Sequence, residues 1–101
     1  MKKHVKIYFD YFGIAEQDFV SCEMCGAKAV DIHHIEPKGM GGSKNKDFIA
    51  NLIALCRSCH TKCHSDREFS SRTKQNHEFK MRMHEKKLQR FVKRLGNNKY
   101  L

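Results

Sequence analysis

Apolar residues recur at helical spacing at the start of the chain. Val5, Tyr8, Phe9 and Phe12 follow the i, i+3, i+4, i+7 pattern, and Gly13 stands where a left-handed cap would close the turn. A short amphipathic helix is predicted over about residues 3–12, its aromatics packing into a core. The run AVDIHHIE at 29–36 is rich in β-branched residues and stops at the sole proline, Pro37, which predicts a strand. A loop with three glycines and three lysines follows, and LIALC at 52–56 predicts a second strand. From Arg57, RSCHTKCHSDREF contains no breaker and is predicted helical. Farther on, Met81, His84, Leu88, Phe91, Val92 and Leu95 line one face of a helix that Gly96 can cap, with Lys and Arg on its other faces. Ser70–Ser71 is the expected joint between these two C-terminal helices. The order is helix, cysteine pair, strand, loop, strand, helix, an α+β arrangement without internal repeat.

Composition changes this picture in one respect. Leu, Ile, Val and Phe supply only 22 of 101 residues and Trp is absent. A chain this short forms one domain, and a core this thin ordinarily needs a disulfide or metal staple. Five cysteines are an odd number for a disulfide framework. No apolar run reaches the ~18 residues of a membrane span, and no secretory leader is recognisable. The expected location is the cytoplasm, where thiols stay reduced.

Cys22-Glu-Met-Cys25 and Cys56-Arg-Ser-Cys59 are two C-x2-C pairs. Two residues between thiolates let a tight knuckle aim both sulfurs at one ion, and two pairs complete a tetrahedral structural Zn²⁺ site. Such a closed site supplies stability and does no chemistry.

The charge is uneven. Residues 1–56 carry seven lysines against seven acids, so the entire excess of +9 lies in residues 57–101. That field suits a polyanion, most readily nucleic acid. His60 and His64 are four apart and share a helix face, a spacing that chelates a divalent ion. His33 and His34 end the first strand. His4, His77 and His84 have no ligand spacing and are expected on the surface or in packing.

These motifs together resemble the HNH endonuclease family. DIHHIEP at 31–37, NLIALC at 51–56 and CHTKCH at 59–64 carry the resemblance, and Cys22-x2-Cys25 matches the zinc knuckle that many members add. It spans about residues 20–65 of a single domain covering 1–101, with an N-terminal helix in 1–19 and a basic helical extension in 66–101. The resemblance implies a zinc-stapled ββα-metal fold and a metal-dependent DNA endonuclease leaving 5′-phosphate and 3′-hydroxyl ends. It implies His34 as the general base, Asn51 as the residue constraining the loop and orienting that base, and His33, His60 and His64 as ligands of a catalytic divalent metal (Mg²⁺, Mn²⁺, Ni²⁺ or Zn²⁺). A phage or mobile-element origin fits the size.

Successive side chains of a regular strand face opposite ways, so His33 and His34 cannot both reach one site unless a bulge or bend intervenes. Asp31, on the face of His33, is the alternative ligand. Cys63 is expected to pack on the zinc side of its helix, with ligation as the lesser alternative. Lys38, Lys44, Lys46, Arg57, Lys62 and Arg67 are candidate contacts to double-stranded DNA phosphates, which position without specifying sequence. RNA is an alternative substrate. The Met81–Leu95 stripe is expected to pack on the N-terminal helix, with a homodimer or protein partner as the alternative. Two rival functions are a zinc-binding nucleic-acid module without catalysis and an accessory factor of a DNA-processing assembly.

Overall fold

The computed structural model describes residues 1–37 and 46–96, with backbone alone for 94–96. Lys38 and Lys44 lie outside the described residues. The described elements are helix α1 (Lys3–Phe12), strand β1 (Asp31–His34), strand β2 (Leu52–Leu55), helix α2 (Arg57–Ser65) and helix α3 (Arg67–Gly96), with a 3-10 turn at Ile49–Asn51 before β2. This is a small α+β domain, as its residue patterns predict.

Helix α1 ends as expected. Gly13 adopts a left-handed φ of 66°; its own N–H closes on the Asp10 carbonyl and the Ile14 N–H on that of Phe9. Strands β1 and β2 pair antiparallel, with Asp31 opposite Leu55, Ile32 opposite Ala54, His33 opposite Ile53 and His34 opposite Leu52.

The two-stranded sheet is covered on both faces, which explains why all four β2 residues are buried instead of alternating. On one face, Ile32, Leu52 and Ala54 pack with Tyr8 and the apolar stripe of α1. On the other, Ile53 and Leu55 pack with Phe69 and three of the knuckle cysteines. Leu52, Ile53 and Leu55 have no solvent exposure. At ~1.5–3 kcal/mol for each such side chain, β2 supplies a large share of a sparse core.

The joint between the C-terminal helices differs from expectation. Helix α2 stops at Ser65 and α3 begins at Arg67. Asp66 separates them because its Oδ1 accepts the Phe69 N–H at 3.0 Å, capping α3. Ser70 and Ser71 lie inside α3, where Ser71 Oγ bonds back to the Arg67 carbonyl at 3.1 Å.

A buried polar network joins both flanking helices to the centre. Glu23, next to the first knuckle cysteine, accepts the Tyr8 hydroxyl at 2.5 Å and lies 2.9 Å from His77 Nδ1. His77 Nε2 reaches the Ile49 carbonyl at 2.6 Å. His84 packs its ring on Tyr11 and Phe12 of α1. The expected packing of the α3 stripe on α1 therefore holds around His84, whereas Leu88, Phe91 and Val92 remain exposed. No helix among the described residues is long and apolar enough to cross a membrane.

Candidate functional site

The two cysteine pairs converge. The sulfurs of Cys22, Cys25, Cys56 and Cys59 all lie within 4.8 Å of one another. Gly26, at φ 83°, turns the chain directly after the first pair, and its N–H returns to the Cys22 carbonyl at 2.9 Å. The second pair opens α2, where Cys56 is the N-cap and its sulfur accepts the Cys59 N–H at 3.4 Å. Cys25 Sγ and Cys56 Sγ are 3.6 Å apart. Tetrahedral zinc with bonds of ~2.3 Å needs sulfur separations of about 3.8 Å, so this donor set fits Zn²⁺.

The thiols respond differently to their surroundings. Burial opposes ionisation of Cys22, but backbone N–H groups of Cys56, Cys25 and Met24 outweigh it and lower its pKa to about 7. Burial and the neighbouring sulfurs push Cys59 well above the usual thiol range. Ionising all four needs a cation among them. Cys63 packs against the knuckle cluster and stands outside the four-sulfur set, with burial raising its pKa.

The histidines form two clusters rather than one. His33, His60 and His64 bring their donor nitrogens within 4.8 Å of one another. Their ring centroids are 4.8 Å (His33–His60), 5.6 Å (His33–His64) and 5.0 Å (His60–His64) apart. The i, i+4 spacing on α2 and the pairing of His33 opposite Ile53 produce this meeting. Burial, reinforced by the rings of His60 and His64, lowers the His33 pKa to about 4. Its imidazole is therefore neutral, the form that ligates metal, at ordinary pH. Asp31 Oδ2 lies 3.1 Å from His60 Nδ1, so a carboxylate holds one nitrogen of that ring and leaves the other for a metal.

His34 faces the other side of the sheet. Strand β1 is regular, each of its residues paired with one residue of β2, so the bulge or bend that would carry both histidines to one site is absent there. His34 Nε2 is 2.7 Å from Asp47 Oδ1, and the His4 ring lies 4.7 Å from the His34 ring, tilted by 41°. His4, His34 and Asp47 have donors within 4.8 Å of one another. A cleft of about 350 Å³ at the strand end is lined by His4, Asp31, His33 and His34, so His33 of one cluster shares a depression with His4 and His34 of the other. A larger depression, about 680 Å³ between the knuckle and α3, is lined by neither histidine cluster.

Asn51 is buried and makes three side-chain bonds among the described residues. Its Oδ1 accepts the Glu36 N–H at 2.7 Å, and its Nδ2 donates to the carbonyls of Glu36 and Lys46, each at 3.0 Å. It clamps both ends of the segment that joins the strands. Contact with His34 comes from Asp47 instead.

Of the expected phosphate contacts, Arg57, Lys62 and Arg67 are exposed on α2 and at the start of α3. Lys46 Nζ lies 3.5 Å from Glu36 Oε2. His77 and His84 serve in packing, as expected, while His4 lies against the ring of His34. Asp47 and Glu23 carried no spacing signal that would have singled them out.

Comparison with known proteins agrees with this geometry. Residues 22–66 match the HNH endonuclease family, from the first knuckle cysteine to the end of α2. Over those residues the chain is similar to a family of nucleases. Over 54 residues it is 39% identical to a mitochondrial DNA mismatch repair protein mutS homolog of Sarcophyton glaucum. That likeness covers 46% of this chain and only 5% of the relative. No solved structure gives a significant match.

Proposed function

We propose that this protein is a metal-dependent DNA endonuclease in which His33, His60 and His64 hold one divalent ion and His34 is the general base. The observation that carries the reading is the three-histidine cluster, whose His33 lines the same cleft as His34. Phosphodiesters resist hydrolysis because their anionic oxygens repel a nucleophile, and a divalent ion in the site supplies charge neutralisation at the phosphate and the leaving 3′ oxygen.

His34 takes the proton of the attacking water through the ring nitrogen not engaged by Asp47. Neutral imidazole is the side chain suited to accepting such a proton. Asp47 fixes the ring and steadies the positive charge it acquires. Asp31 orients His60, and Asn51 holds the strand connection on which Asp47 is carried. The four cysteines hold structural zinc and keep α2, with its two histidines, against the hairpin. Arg57, Lys62 and Arg67, with Lys46 beside the cleft, contact DNA phosphates. Lys38 and Lys44 extend that contact.

The local likeness to a mismatch repair protein of mitochondrial DNA favours DNA over RNA as substrate. Nicking of supercoiled plasmid with Mg²⁺, Mn²⁺ or Ni²⁺, by wild type beside His34→Ala, tests the proposal. Nicking by wild type alone supports it, and equal nicking by both removes His34 as the base.

A further inference from the structure

Adjacent strand residues separate the histidines into two donor sets of the same compactness, and the nuclease reading uses only one as a metal site. The other comprises His4 from α1, His34 from β1 and Asp47 from the segment before β2, with one donor atom of each within 4.8 Å of the others. All three side chains are part-exposed at or beside the cleft, so an ion can enter. His4 lies outside the family match, which begins at residue 22.

Two imidazoles and one carboxylate make a donor set suited to zinc and its transition-metal neighbours, and poorly suited to Mg²⁺, which prefers oxygen ligands. The rings of His4 and His34 already lie 4.7 Å apart at a tilt, and Asp47 already approaches a His34 nitrogen at 2.7 Å. Small side-chain rotations suffice to bring the donors around an ion with bonds of ~2.0–2.2 Å.

We infer that His4, His34 and Asp47 form a second transition-metal site, and that its occupation by zinc inhibits the enzyme. The inhibitory half rests on the reading of His34 as general base. A neutral imidazole has one N–H and one basic lone pair, and His34 needs both, the N–H for Asp47 and the lone pair for the proton of water. A cation on the nitrogen that faces water removes the proton acceptor. A cation on the nitrogen that faces Asp47 takes that nitrogen's lone pair, so the ring proton sits on the nitrogen that faces water, which then cannot accept another. Zinc availability would thereby restrain DNA cutting without unfolding the protein.

The test is zinc stoichiometry on the full chain already holding its four-cysteine ion. Titration with ZnCl₂ in competition with a chromophoric chelator should show two further equivalents for wild type. It should show one for His4→Ala and one for His33→Ala. His4→Gln keeps the side-chain bulk and should match His4→Ala, and circular dichroism checks that each variant is folded. Two further equivalents in both His4 variants, or only one in wild type, would overturn the site.

Inhibition is read separately as plasmid nicking in Mn²⁺ with rising ZnCl₂, scaled to each variant's own zinc-free rate. Displacement of Mn²⁺ from His33, His60 and His64 affects wild type and His4→Ala alike. An inhibition midpoint raised at least about tenfold in His4→Ala is expected, since even an outer-shell change typically weakens a metal site that much. Equal midpoints would overturn the inhibitory role. If wild type cuts no DNA in any metal, the nuclease reading fails, and the stoichiometry still decides the site.

Discussion

His77 of α3 and Glu23 of the knuckle are 54 residues apart in sequence, yet His77 Nδ1 lies 2.9 Å from Glu23 Oε1 with both side chains almost fully buried. The contact ties the basic C-terminal helix to the cysteine knuckle, and Tyr8 brings α1 to the same carboxylate. The segments flanking the HNH match are thus integral to the core.

Removing His77 should be costly. His77→Ala leaves the buried Glu23 carboxylate with the Tyr8 hydroxyl but without its imidazole, and removing one member of a buried pair costs about 3–5 kcal/mol. Urea denaturation should show a lower midpoint for His77→Ala, with the structural zinc still bound in the folded fraction. Tyr8→Phe, which deletes one hydrogen bond to the same carboxylate, should lose less, about 1–3 kcal/mol.

The four-cysteine site should behave as part of the fold. Elemental analysis of purified protein should find about one zinc per chain that survives mild chelation. Cys22→Ser should unfold the chain or lower its melting temperature sharply, whereas His60→Ala should leave helix content and this zinc intact. Equal unfolding of both variants would refute the separation into structural and catalytic metals.

Asn51→Ala should loosen the strand connection. It removes three hydrogen bonds at a buried position and leaves backbone groups of Glu36 and Lys46 without partners, a cost of about 1–3 kcal/mol. Faster hydrogen exchange at the Glu36 amide, together with reduced DNA cleavage, is the expected pair of readouts.

The basic residues of α2 and early α3 should act through phosphate charge alone. Arg57→Ala, Lys62→Ala and Arg67→Ala should each weaken duplex binding to a similar extent on unrelated sequences. Each should also reduce the slope of log affinity against log salt by about one unit. An effect confined to one DNA sequence would assign that residue to base reading.

Local patterns made much of this molecule legible. The stripe Val5–Phe12 with Gly13 delimits α1, the C-x2-C spacing marks the knuckle, and His60 with His64 marks one face of α2. These signals arise from residues a few positions apart, where backbone geometry alone decides who meets whom. The helix joint was misplaced because Ser70–Ser71 resembles a breaker, while Asp66 acts through a capping bond that the surrounding polar run disguises. The partners Glu23–His77 and His4–His34–Asp47 had no period to betray them. They meet because α1 and α3 fold back onto a sheet covered on both faces. His33 and His34 were legible as a pair, and strict strand alternation at β1 decided that they serve different clusters.

The central claim is that His34 and the His33–His60–His64 cluster cut DNA rather than merely hold it. Single-turnover cleavage of a duplex oligonucleotide by wild type, His34→Ala and His60→Ala, with affinity for the same duplex measured in parallel, tests it most directly. Cleavage lower by about 10²–10⁴-fold for His34→Ala, the usual contribution of a general base, with affinity unchanged, is the predicted result. Equal cleavage by wild type and His34→Ala, or tight binding by wild type without cleavage in any divalent metal, would contradict it.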